Sequence, residues 1–232
     1  MKVEIWSDVV CPWCYIGKRR FEAALASFPH AEEVDLVWRS FELDPGAPPS
    51  PAEAGGYAER LAAKYGTSVD GGQQMIDRMT ETAAGEGLDF RFDRSRAGNT
   101  FDAHRLLHLA LAHGVQDELK ERLDRATFTD GLAVCDHAAL AVVIGLPADE
   151  VTQVLATDAF AAAVRADEAQ AAAYGISGVP FFVVDGKYGV NGAQPSGQLL
   201  EVLARAWSEQ PALVMSGAQG TADGCEDGSC AV

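Results

Sequence analysis

Cys11-Pro12-Trp13-Cys14 is the segment whose residue types and spacing carry a reaction. Two cysteines three apart at the start of a helix can close a small disulfide. The first stands where free N–H groups and the helix dipole favour negative charge, so a thiolate at Cys11 is stabilised. The thiolate is the nucleophile of thiol–disulfide exchange. Cys14, one turn inside the helix, is placed to resolve a mixed disulfide. Pro12 removes one donor but stiffens the turn, and Trp13 offers an exposed apolar face beside the sulfur. A metal knuckle and a pair of unreactive cysteines are the competing readings. A C-x-x-C beside a β-α-β pattern favours redox chemistry over both.

Val179-Pro180 is the second signal. A proline opening a strand can hold a cis peptide bond, which is uncommon and positional. There the Val179 backbone could pair with an extended substrate. An ordinary trans proline at a strand edge is the bland alternative.

Cys225 and Cys230 lie five apart near the C-terminus. They read as a second redox pair serving the first, as half of a zinc site with Cys11 and Cys14, or as a spare pair. Cys135 stands alone and reads as a small, partly buried apolar residue. His104 and His108 are one turn apart, but H-x-x-x-H without the glutamate of a zinc protease favours core or pocket-lining histidines over a metal pair. Asp8 could relay a proton to a thiol, although a loop carboxylate is the simpler role.

The surrounding elements must hold these groups. Lys2–Trp6 reads as a buried strand, Pro12 as the first position of a helix running to Phe28, and Val34–Phe41 as a second strand. In that helix Ile16, Phe21, Leu25 and Phe28 form the apolar side, leaving Lys18–Arg20 and Glu22 for solvent. Asp44–Gly56 reads as a linker. Helices follow over Tyr57–Tyr65, Gln73–Gly85, Thr100–His113, Asp117–Phe128, His137–Ile144, Asp149–Ala156 and Phe160–Tyr174, with Gly66, Gly87, Gly114, Gly131, Gly145 and Gly175 as punctuation. Val179–Asp185 and Lys187–Val190 read as a hairpin about Asp185-Gly186, and Ser196–Ser208 as a closing helix. The order β-α-β, helical insertion, β-β-α is that of an α/β, thioredoxin-like core. Residues 1–44 and 175–208 would form the core, 45–174 the all-helical subdomain, and 209–232 a flexible tail.

The 232 residues carry 18 Lys and Arg against 34 Asp and Glu, a formal net charge of −16, which disfavours nucleic acid as a partner. No apolar run is long enough to span a membrane. The first residues include Glu4 and Asp8 and do not read as a secretory signal, so the expected location is cytoplasmic. There structural disulfides are rare, which adds weight to redox use of the cysteines.

The stretches WSDVVCPWCYIGKRR, RSFELDP, NTFDAHRL and GISGVPFFVVDGKYGVNGAQP resemble the DsbA-like thiol oxidoreductases of the FrnE-type subgroup. The resemblance runs from Lys2 to about Ser208. It implies a thioredoxin core with a helical insert, Cys11 as nucleophile, Cys14 as resolving thiol and Pro180 as a cis-proline facing them. It also implies protein or small-molecule disulfides and thiols as partners, glutathione among them, with no metal or organic cofactor. Relatives on the same fold include glutathione-dependent 2-hydroxychromene-2-carboxylate isomerases and kappa-class transferases, so a glutathione-dependent isomerase or transferase acting on an aromatic or polyketide-like compound is the alternative. A serine usually replaces the first cysteine in those relatives; keeping both thiols argues for disulfide exchange. A zinc-bound, non-catalytic chaperone or binding module is the third reading.

Overall fold

The protein is described by a computed structural model covering residues 1–50, 56–96 and 98–210. Four strands form one mixed sheet in the order β2-β1-β3-β4. β1 (Lys2–Ser7) and β2 (Asp35–Ser40) run parallel and are joined by the crossover helix α1 (Pro12–Ala26). β3 (Phe181–Val184) pairs antiparallel with β1, and β4 (Tyr188–Asn191) antiparallel with β3. The period-two alternation of β1 decides the layers. Val3 and Ile5 pack with Phe21, Phe182, Leu199 and Leu203 beneath α1 and the closing helix α9 (Ser196–Ser208). Trp6 turns to the opposite face, against Ala171 and Ile176.

Between β2 and β3 lie α2 (Tyr57–Tyr65), α3 (Val69–Gly85), α4 (Phe101–Ala112), α5 (Gln116–Arg125), α6 (His137–Val143), α7 (Ala148–Ala156) and α8 (Ala161–Ala173). This is a thioredoxin-like α/β fold with a helical insertion. No helix among the described residues is long and apolar enough to cross a membrane.

Some boundaries differ from the sequence reading, each for a local reason. α3 begins four residues before Gln73, because the Ser68 hydroxyl caps it by accepting from the Gly71 amide at 3.1 Å. Gly72 is thereby drawn into the helix, where a Cβ would lie 2.3 Å from the Ala58 carbonyl oxygen; α2 and α3 touch backbone to backbone at this point. α5 ends at Arg125 and not at Phe128, since residues Ala126–Asp130 widen into a π turn. β3 begins at Phe181 because Pro180 has no N–H to give the ladder. At the hairpin, Asp185 and Gly186 both take positive φ, 49° and 65°, the signature of a type I′ turn. The Lys187 amide closes that turn on the Val184 carbonyl at 3.0 Å, so β4 starts one residue later than expected.

β2 is an edge strand, and the insertion covers its unpaired backbone. The Trp38 amide donates to Gln116 Oε1 at 2.9 Å, and Gln116 Nε2 donates back to the Trp38 carbonyl at 2.9 Å. The Ser40 amide donates to Asp167 Oδ2 at 2.9 Å. One side chain from α5 and one from α8 thus complete the ladder that a fifth strand would otherwise complete. The same docking corrects the expectation that Lys18 faces solvent. Its ammonium is buried and meets Glu22, Asp117 and Glu121, the last two carried by α5.

Gln116→Met keeps the bulk but removes both partners of the Trp38 peptide. Leaving those two buried groups unpaired should cost about 3 kcal/mol. Urea denaturation checks this; unchanged stability would mean that water replaces the amide.

Candidate active site

The loop after β1 delivers Cys11 to the N-cap of α1, with extended backbone angles of φ −95° and ψ 111°. Pro12 follows at the first helical position, where its missing N–H costs nothing. The Cys14 amide closes the first turn on the Cys11 carbonyl at 3.0 Å. Both cysteines are free thiols. Cys11 Sγ lies 3.5 Å from the Val179 carbonyl oxygen, which accepts from the thiol. The Val179–Pro180 peptide is cis. The structure therefore brings Cys11, Cys14, Val179 and Pro180 together, with Trp13 at the rim, 40% exposed.

The two thiols live in different surroundings. Cys11 opens onto a cavity, whereas Cys14 is sealed beneath it with no exposed surface. Burial pushes the Cys14 thiol well above the ordinary range, and the neighbouring Cys11 pushes it further. The Lys120 ammonium and the Ser7 hydroxyl act the other way. Lys120 is itself fully buried on α5 and is held by both carboxylate oxygens of Asp124. Its ammonium also sits 5.1 Å from the centre of the Trp38 ring. Burial raises the Asp124 carboxyl to about 6 despite the opposing charge of Lys120.

Asp8 is buried behind the motif. Its carboxylate accepts from the Leu43 amide at 2.7 Å, and His104 Nε2 stands 3.4 Å away. Burial would raise this carboxyl, but His104, Leu43 and Thr100 outweigh it and hold it low. These partners give Asp8 the role of a loop carboxylate. His108 Nε2 lies 3.1 Å from Asp167 and 3.2 Å from the Ser40 hydroxyl, bracing the β2 edge. Cys135 is half-buried against Gly98. Among the described residues no group of three or more His, Cys, Asp or Glu is placed to hold a metal. Cys225 and Cys230 lie outside the described residues.

The cavity over Cys11 has a volume of about 880 Å³. Its floor is Cys11, Pro12 and Trp13, and one side is the Ser177–Val179 loop. The other side is the α2–α3 hairpin together with Ser95 and Arg96. The hairpin is held there by packing of Tyr15 and Ile16 of α1 with Ile76, Met79, Phe90 and Phe128. Sequence reasoning missed this wall, including Arg60, Lys64 and Arg78. Tyr57, Arg60, Leu61, Lys64 and Tyr65 do share one helical spacing on α2, a signal within a segment read only as one helix of the subdomain.

The chain belongs to the DSBA-like thioredoxin domain family, whose sequence profile matches residues 2–204. It is similar to a probable DsbA oxidoreductase from Streptomyces coelicolor, with 46% identity, a TM-score of 0.86 and coverage of 94% of each chain. A cytosolic disulfide reductase, DsbM, from Pseudomonas aeruginosa, solved with GSH, shares the fold at 14% identity and a TM-score of 0.62, over 90% of this chain and 100% of that one. An uncharacterised protein, YwbO, from Bacillus subtilis (strain 168) is 41% identical over 49 residues, 21% of this chain and 22% of that protein. That match therefore spans about a fifth of the curated relative.

Two measurements probe this geometry. Iodoacetamide at pH 8 should label Cys11 at least about tenfold faster than Cys14 in the folded protein, with the difference vanishing in denaturant. Equal labelling in the folded state would contradict the burial of Cys14. Separately, Lys120→Met and Asp124→Leu should each cost about 3–5 kcal/mol by stranding a buried charge, while the double variant regains most of the loss. Additive losses in a thermal-unfolding cycle would show that the two side chains do not act as a pair.

Proposed function

We propose that the protein is a cytoplasmic dithiol–disulfide oxidoreductase working through Cys11 and Cys14. The observation that carries this reading is the division of the two thiols within one helical turn. Cys11 faces a cavity beside the Val179 carbonyl, and Cys14 is sealed underneath. The Cys11 thiolate attacks one sulfur of a disulfide RSSR, forming a mixed disulfide and releasing RS⁻, which takes up a proton. Cys14 then gives up its proton and attacks Cys11 Sγ, releasing the second RSH. The substrate gains two electrons, and the protein ends with a Cys11–Cys14 disulfide. The reverse sequence oxidises a dithiol. Both electrons come from the thiols, so the exchange needs no metal or organic cofactor.

Trp13 and the Val179-Pro180 loop flank the attacking sulfur and would hold the substrate, a protein or small-molecule disulfide, with glutathione species included. The cytosolic location follows the DsbM reductase by analogy. Retention of both thiols supports exchange over the glutathione-dependent isomerase chemistry known on this fold.

In reaction with a disulfide, Cys14→Ser should accumulate a mixed disulfide on Cys11, while Cys11→Ser should form none. Intact-protein mass spectrometry reads the adduct directly. An adduct trapped by Cys11→Ser and not by Cys14→Ser would reverse the roles, and no adduct in either would sink the reading.

A further inference from the structure

The wall of the cavity is cationic in a chain that is otherwise strongly acidic. Arg60 and Lys64 of α2, Arg78 of α3 and Arg96 line it, against Asp44 as the acidic side chain among the described lining residues. Elsewhere, most cations of this protein are answered by carboxylates, as Arg19 is by Glu121, Arg20 by Glu86, Arg39 by Glu4 and Arg165 by Glu42, whereas Arg122 donates to the Ile144 carbonyl at 3.1 Å. Among the described residues, Lys64, Arg78 and Arg96 have no carboxylate within ion-pair distance. A chain with 34 acidic residues could readily have paired them. Arg60 and Lys64 lie one turn apart, each over an aromatic ring of the same helix, at 5.1 Å from Tyr57 and 5.8 Å from Tyr65. Between the charges, Leu61, Met75 and Met79 supply apolar surface. The volume falls within the range of roughly 300–1,000 Å³ typical of small-molecule pockets.

We infer that this cavity takes a low-molecular-weight disulfide bearing anionic groups, carboxylate or phosphate, with the disulfide at Cys11 and the anions against Lys64, Arg78 and Arg96. The inference rests on the exchange chemistry proposed above and names its substrate class. Apolar contacts on the hairpin hold the carbon skeleton, and the cations select the charge.

The test is a single-turnover reaction of the reduced full chain with four probes. These are neutral hydroxyethyl disulfide, dianionic dithiodipropionate, phosphate-bearing coenzyme A disulfide and dicationic cystamine. Each rate is divided by that of the same probe with dithiothreitol, to remove intrinsic reactivity. The normalised rates of the anionic probes should exceed the neutral one by about tenfold, with cystamine slowest, and the spread should shrink as salt rises. Lys64→Gln, Arg78→Gln and Arg96→Gln should each lower the anionic-to-neutral ratio roughly threefold. Arg205→Gln, outside the cavity, should leave the ratio unchanged, and circular dichroism confirms that each variant is folded. A higher normalised rate for coenzyme A disulfide than for dithiodipropionate assigns the anion as phosphate, and the opposite order as carboxylate. A wild-type ratio near one, or a ratio untouched by the three substitutions, overturns the inference while leaving the exchange chemistry standing. Failure of hydroxyethyl disulfide itself to oxidise the Cys11–Cys14 pair overturns the exchange reading, and this inference with it.

Discussion

The open edge of β2 is the constraint from which the rest of the architecture follows. A buried strand edge needs partners for its amides and carbonyls. Here they come from a stripe on α5, with Gln116, Lys120 and Asp124 spaced four apart and all buried. Gln116 completes the backbone ladder at Trp38. Once α5 is fixed there, Lys120 is forced under the sheet edge, over the Trp38 ring and near Cys14. An ammonium in that position cannot stand alone, so Asp124 accompanies it one turn later.

The same placement builds the candidate site from the other side. The π turn after α5 presents Phe128, whose carbonyl accepts from the Arg91 amide at 2.6 Å and whose ring stacks on Phe90. Phe90 and Phe92 carry the contact onward to Tyr15 and Tyr57. Tyr15 belongs to α1, and its hydroxyl donates to Glu121 of α5 at 2.7 Å. The α2–α3 hairpin is therefore held over the first turn of α1 by an aromatic chain that begins at the sheet edge. Gly17 tightens the arrangement from below: a Cβ there would lie 3.0 Å from Pro180 Cγ, so α1 and the Val179-Pro180 loop are already in contact. The distance between Cys11 and the Val179 carbonyl is thus set by packing on both sides of the helix.

Local chemistry was legible in the sequence, and tertiary chemistry was not. The C-P-W-C turn, the Asp185-Gly186 hairpin and the extents of α2 and α9 are each dictated by a few neighbouring residues, and they stand where the pattern put them. The glycines read as punctuation take positive φ, because a helix end needs a residue without that steric cost. Lys18 falls outside the stripe of Ile16, Phe21, Leu25 and Phe28, so the local pattern leaves it for solvent; only the arrival of Asp117 and Glu121 from α5 buries it. The cationic wall escaped for a similar reason. Its members sit on α2, on α3 and in the segment before α4, and no linear spacing relates the α2 pair, Arg60 and Lys64, to Arg78 or Arg96.

Net charge and local charge act on different length scales here. A formal charge of −16 would repel an anion if it acted as a whole. At physiological ionic strength, however, the field of exposed charges decays over about 8 Å, so a ligand inside the cavity feels chiefly the side chains that line it. Most acidic residues near the site are already committed: Glu121 to Arg19 and Tyr15, Asp117 to Lys18 and Trp38, Asp124 to Lys120. Lys64, Arg78 and Arg96, which have no carboxylate within ion-pair distance among the described residues, are left to set the local potential beside Cys11. An acidic exterior and a cationic site are therefore compatible in one small fold.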